Sequence, residues 1–211
     1  MESLTEIQQK VVHDILRLGL SQAQSQLEEL THAQLTIHVQ RIELLSRVQL
    51  NELLNHNTAQ HFVAINQTFR SSFSGCSTLL IKHTHSDTLV QRFIKDQNNA
   101  SQLASREIAV LCELGNIVLN AGISAFSSML EVPIESTLPS CTKGDFATLQ
   151  SACQYFNHHD DQALTVWCQL DLDKQVVQFQ LMYFLKLSAH MQLTDLIDTY
   201  INRICPAAQA L

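Results

Sequence analysis

The sequence predicts a mixed α/β fold of the α+β kind, with two long helices packed on a mainly antiparallel sheet. Three observations lead there. Two segments, 2–31 and 101–130, carry apolar residues at helical spacing. Each is followed by short runs that alternate polar and apolar residues, as half-buried strands do. The order long helix, strands, short helix occurs twice, which implies a pseudo-two-fold repeat: a single domain of halves roughly 1–100 and 101–211. A chain of 211 residues, 45% of them hydrophobic, can bury a core of that size.

In the first helix Leu4, Ile7, Val11, Ile15, Leu18, Ala23 and Leu27 form one stripe, with Ser3 or Thr5 as its cap. "QLTIHV" (34–39) alternates and reads as a strand, while "ELLSRVQLNELLN" (43–55) fits helix or strand. "HFVAINQTFRSS" (61–72) and "STLLIKH" (77–83) are strands about a turn at Ser74-Gly75. "SDTLVQRFIKD" (86–96) is a short helix capped by Ser86 or Asp87. The second long helix opens at Ser101. "VPIESTL" (132–138) alternates again and stops at Pro139, and "GDFATLQSACQYF" (144–156) reads as helix. "ALTVWCQLDL" (163–172) and "QVVQFQLMYFL" (175–185) are strands joined by Asp173-Lys174, and "MQLTDLIDTYINRI" (191–204) is a closing helix.

The repeat has residue-level support. With no gap, Asp14 falls on Glu113, Arg17 on Asn116, Leu18 on Ile117, Leu27 on Phe126 and Gln40 on Pro139.

Charge and composition exclude several classes. A net charge of −7 without a Lys/Arg cluster argues against nucleic acid or an anionic membrane as main partner. No run approaches the ~18 consecutive apolar residues of a membrane span, and "MESLTEIQQK" lacks the basic and apolar regions of a secretory signal. Six scattered cysteines without a CxxC read as reduced thiols of a cytosolic protein. "HTH" (83–85) places two imidazoles on one strand face and "NHHDD" (157–161) is a polar loop. Neither offers enough ligands, so no metal site is expected. Trp167, Tyr183 and Phe184 read as core.

The informative stretch is "CELGNIVLNAG" (112–122). Glu113, Asn116 and Asn120 share one helix face, because residues three and four apart are neighbours there. On spacing alone this is either a solvated helix face or a small polar site holding one carboxylate and two carboxamides. Gly115 allows a close approach, either to a partner or between the two long helices.

Glu113, Asn116 and Pro139, with twenty-two residues between the last two, match a known signature in type and spacing. The stretch resembles the CheC/CheX/FliY family of phosphatases acting on the chemotaxis response regulator CheY, whose signature is Asp/Ser-x3-Glu-x2-Asn-x22-Pro. Ala109 stands at the first position, where the family has Asp or Ser. Gly19, Ala23 and Leu27 are similar to the framework of the family's first helix, but Asp14, Arg17 and Gln40 replace its Glu, Asn and Pro. The resemblance covers essentially the whole chain and implies a CheC-like fold with one intact and one decayed site.

What the resemblance implies is an enzyme that removes the phosphoryl group from an aspartate of a phosphorylated CheY-like response regulator. Asn116 would orient the attacking water: its amide can accept a hydrogen bond and stays uncharged beside the phosphoryl group. Glu113 would pair with the regulator's active-site lysine. Ala109, Asn120 and Pro139 would contact the partner. The chain would need no cofactor of its own, with Mg²⁺ held by the partner. The alternative is a non-catalytic adaptor that binds a response regulator or a CheD-like deamidase. A flagellar-switch component ranks last, since that role implies an extra domain.

Overall fold

The structure is a computed structural model that describes residues 3–55, 61–93, 103–145, 148, 162–173, 175–186 and 192–205. Ser101, Cys153, Lys174, the loop 157–161 and most of the helix expected over 144–156 lie outside the described residues.

The first helix, α1 (Glu6–Thr31), starts at Thr5, whose hydroxyl accepts from the Gln8 backbone N–H at 3.3 Å. The Gln8 side chain accepts in return from the Thr5 N–H at 2.9 Å, which completes a capping box. Replacing Thr5 with alanine is expected to cost about 1 kcal/mol in a urea unfolding experiment. The helix ends at His32 in the left-handed region (φ 52°), and the second long helix, α4 (Leu103–Leu130), ends at Glu131 with φ 51°. These two residues fall opposite each other in the gapless alignment of the halves.

The buried face of α1 differs from the expected stripe. Val12, Leu16, Leu20, Ala23 and Leu27 are buried, whereas Ile7 and Leu18 are 66% and 68% exposed. Gly19 sets this rotation. It faces α4 so closely that a Cβ would sit 2.8 Å from the Ala121 carbonyl oxygen and 2.9 Å from the Ala125 Cβ. Leu18, about 100° around the helix, is turned outward.

Among the described residues seven strands form one antiparallel sheet. They are β1 (Leu35–Ser46), β2 (Phe62–Arg70), β3 (Ser74–Lys82), β4 (Glu135–Ser136), β5 (Ser140–Gly144), β6 (Gln162–Leu172) and β7 (Gln175–Lys186). Their order is β1-β6-β7-β3-β2, and β4 and β5 both pair with β2. Exchanging β1 with β5, β2 with β6 and β3 with β7 maps this order onto itself from the other edge.

Helices α1 and α4 lie together on one face of the sheet, with α3 (His83–Phe93) and α5 (Leu193–Ile204) beside them. The main core, between helices and sheet, includes Leu16, Leu111, Leu119, Val63, Leu164 and Leu181. The short α2 (Arg47–Asn55) packs near β1 and β6, over a second cluster around Leu50, Met182 and Phe184. The segment α4 spans is apolar enough by length and composition to cross a membrane, yet 56% of that window is buried within the fold.

Several local expectations change. Residues 43–55 divide: β1 continues to Ser46 and α2 follows. The register of β1 slips between Val39 and Arg41, so Gln40 sits in a bulge and the simple alternation breaks there. The turn between β2 and β3 falls at 71–73, closed by a Ser71 N–H to Phe73 carbonyl bond of 2.7 Å. Gly75 lies inside β3, opposite Phe69, because a Cβ there would run into the Phe69 ring. The strand expected over 132–138 shrinks to two residues between Pro133 and Pro139, which cannot donate to a ladder. His83 and His85 belong to the first turn of α3 instead of a strand face. Helix α3 therefore starts before Ser86, whose hydroxyl donates to the His83 carbonyl. Tyr183 and Phe184 are core residues, but Trp167 is only half-buried, with the Arg41 guanidinium 3.8 Å above its ring. The described cysteines are free thiols, and burial pushes Cys168 up to about 12 and Cys141 up to about 11.

Candidate active site

Helix α4 presents the polar face expected from 112–122. Leu111, Leu114, Val118 and Leu119 are buried, Glu113 is exposed, and Asn116 and Asn120 are half-buried. Gly115 faces neither α1 nor solvent. A Cβ there would collide with Ile65 of β2, so this glycine lets α4 settle on the sheet. That contact fixes the rotation of α4 and turns Glu113 and Asn116 outward.

Glu113, Asn116 and Asn120 line a groove of about 500 Å³ between α4 and α1, with Gln22, Gln26 and Glu29 on the opposite wall. Neither Glu113 nor the Asn116 amide nitrogen has a polar partner among the described residues. The Asn116 Oδ1 accepts from the Asn120 Nδ2 at 2.9 Å. The Asn120 Oδ1 accepts in turn from the Gln67 Nε2 at 2.9 Å and from the Ser136 hydroxyl at 3.1 Å. The Gln67 Nε2 also donates to the Thr137 carbonyl at 2.8 Å. Gln67 is 1% exposed, and its Oε1 is buried with no hydrogen-bond partner among the described residues.

The chain after β4 runs back along α4. Ser136 donates to Asn120, the Cys141 backbone lies near the Cys112 thiol, and Lys143 pairs with Glu107. Pro139 lies in the short segment between β4 and β5. Ala109 is exposed one turn before Glu113. Thus Glu113, Asn116 and Asn120 line one groove, while Pro139 and Ala109 are not among its lining residues. On α1, Asp14 and Arg17 are exposed, and the Asp14 carboxylate lies 3.5 Å from His13 Nδ1.

Gln67, Ser136 and Thr137 were not foreseen as part of the site. The available signal was in β2: Val63 and Ile65 point to the helix layer, and Gln67, next on that face, interrupts the apolar series.

A larger cavity, of about 980 Å³, lies elsewhere, lined by His61, Lys82, His83, His85 and Lys143. Much of its polar lining is already engaged. Lys143 pairs with Glu107, His83 lies 3.1 Å from Asp87, and His85 meets the Gln178 backbone at 3.1–3.2 Å. Among the described residues no group of three His, Cys, Asp or Glu side chains is placed to hold a metal ion.

No protein-family model and no curated protein matches the chain. Solved structures do. FliY from Thermotoga maritima superposes with a TM-score of 0.73 at 11% identity, over 95% of this chain and 98% of that one. A chain of the FliM–SpeE complex from H. pylori gives 0.65 at 13% identity, over 95% and 97%. A chain of the CheX–CheY–BeF3–Mg²⁺ complex from Borrelia burgdorferi gives 0.52 at 12% identity, over 83% and 99%. At these identities the likeness is one of fold.

Proposed function

We propose that this chain, a protein of CheC/CheX/FliY-type fold, is a cytoplasmic phosphatase acting on the aspartyl phosphate of a CheY-like response regulator. One observation carries this reading. Glu113 and Asn116 stand side by side on the outward face of α4, lining a surface groove, with no ion pair on Glu113 among the described residues.

An acyl phosphate is already reactive, so the barrier lies in placing water in line with the phosphorus–oxygen bond. The Asn116 amide suits that task. One lone pair of its oxygen remains to accept from the water, its nitrogen has no partner among the described residues, and it carries no charge to repel the phosphoryl oxygens. Glu113, one turn away, pairs with a cation of the partner and sets the register of docking. The Mg²⁺ belongs to the regulator, and the chain supplies no metal or cofactor. Pro139 and Ala109 flank the contact.

A non-catalytic adaptor is the second reading. It is favoured by the FliM chains among the structural neighbours, solved in complexes with SpeE and with FliG, and by the Asp14/Arg17 pair on α1. Arg17 cannot accept a hydrogen bond from water and opposes a cationic partner.

The deciding experiment follows the loss of label from a phosphorylated CheY-like regulator with and without the chain. A shortened lifetime is the expected result. Equal lifetimes combined with phosphorylation-dependent binding would select the adaptor, and a CheD-like deamidase would then be the next partner to try.

A further inference from the structure

We infer that Gln67, Asn120 and Ser136 are positioning residues that set the direction of the Asn116 amide. The inference rests on the phosphatase reading for its kinetic meaning, but its structural half stands without it.

The argument starts from a backbone carbonyl. Thr137 O can only accept, so the Gln67 side chain must turn its amino end toward it, as the 2.8 Å contact requires. That same nitrogen lies 2.9 Å from Asn120, so both of its protons are committed and the facing Asn120 atom must be the oxygen. Ser136 donates to that oxygen as well, at 3.1 Å. Asn120 therefore has only its amino end left for Asn116, and the atom it meets at 2.9 Å must be the Asn116 oxygen. The direction of each amide follows from the one before, across β2, the 136–137 segment and α4.

A cost accompanies this arrangement. Gln67 is 1% exposed and its Oε1 has no hydrogen-bond partner among the described residues. A hydrophobic residue would satisfy the β2 face better, as Val63 and Ile65 do. Retaining a glutamine whose acceptor end is stranded is understandable when its donor end orients something beyond itself.

The consequence falls on Asn116. Its amino group and one oxygen lone pair face the groove in a fixed orientation, so the amide need not reorganise as the attacking water is bound.

Asn120→Asp tests this. The introduced carboxylate keeps the size of the side chain and still accepts from Gln67 and Ser136, but it cannot donate to Asn116. Asn116 should turn over and aim its amino group at the carboxylate, which exchanges the places of its oxygen and nitrogen and moves the acceptor away from the point where it would hold the water. Two measurements report on it. In ¹H–¹⁵N spectra, the Asn116 side-chain amide (assigned by its loss in Asn116→Ala) should move downfield in one proton as it donates to a charged acceptor. In the regulator assay, kcat should fall about 100-fold while the half-saturating regulator concentration changes less than about threefold. Asn120→Ala, which leaves Asn116 unheld rather than reversed, should be the milder variant. The introduced charge also opposes the phosphoryl group, so the order of the variants is read beside the spectra: a purely structural role for Asn120 leaves the Asn116 amide signal in place.

An unmoved Asn116 amide signal in Asn120→Asp would overturn the relay, whatever the enzyme does. A moved signal with unchanged kcat would overturn the positioning role. If the wild-type chain has no phosphatase activity, the spectra still decide the orientation, and only the kinetic half falls with that reading.

Discussion

Replacing Asn116 with alanine is expected to abolish the shortening of the regulator's phosphate lifetime, an effect of about 100-fold or more on the maximal rate. The size follows from the chemistry. The scissile bond is already activated, so little remains for the protein beyond holding water in line, and a truncated side chain cannot hold it. The fold should be untouched. Asn116 is half-buried and its one hydrogen bond to a described residue is the one it accepts from Asn120, so circular dichroism should match the wild type and the melting temperature should fall by only a few degrees. Asn116→Asp is the sharper control. It preserves volume and places a negative charge beside the phosphoryl group; at about 4 Å and an effective dielectric of about 20 that repulsion is about 4 kcal/mol. Glu113→Ala should behave differently, raising the half-saturating regulator concentration roughly tenfold with a smaller change in the maximum. If Asn116→Ala shortened the phosphate lifetime as well as the wild type does, the catalytic assignment would fall.

The second large effect concerns stability. Gly122 of α4 lies against the Tyr183 hydroxyl of β7, and a Cβ at that position would fall on the phenol oxygen. Tyr183 is 1% exposed and packs edge-on against Phe126, with ring centroids 4.8 Å apart, so it has nowhere to swing. Gly122→Ala gains about 1 kcal/mol in helix propensity. Even so, it should destabilise the protein by about 1–3 kcal/mol net, lowering the melting temperature by roughly 5 °C. Tyr183→Phe should be nearly neutral alone, because it removes a buried hydroxyl that has no hydrogen-bond partner among the described residues. Combined with Gly122→Ala it should restore part of the lost stability. Strict additivity of the two changes in a double-mutant cycle would show that this contact does not limit how α4 sits on the sheet.

These two positions illustrate what the sequence reveals. The Glu113–Asn116 face was readable because residues three apart on one helix are neighbours whatever the tertiary context. Strands β6 and β7 were readable for the same reason of local pattern, and Asp173 takes the left-handed turn between them (φ 55°). What escaped depends on distant partners. The buried face of α1 is decided by Gly19 meeting α4, and two stripes one residue apart look alike until that contact is known. Gly115 was open between helix and partner, and only the position of Ile65 resolves it to the sheet. The strand in "VPIESTL" was over-read because alternation ignores the missing N–H groups of its flanking prolines. Gln67 donates to Asn120, 53 positions away, and no spacing rule connects them.

The palindromic strand order has a further effect. Among the described residues, only a hairpin is self-contained within either half, β2 with β3 or β6 with β7. Every other pairing, β1 with β6, β3 with β7, and β2 with β4 and β5, joins one half to the other. An isolated hairpin is marginal in water. Neither half has an independent folded state to fall back on, and heat should dismantle the interlaced molecule in one concerted step.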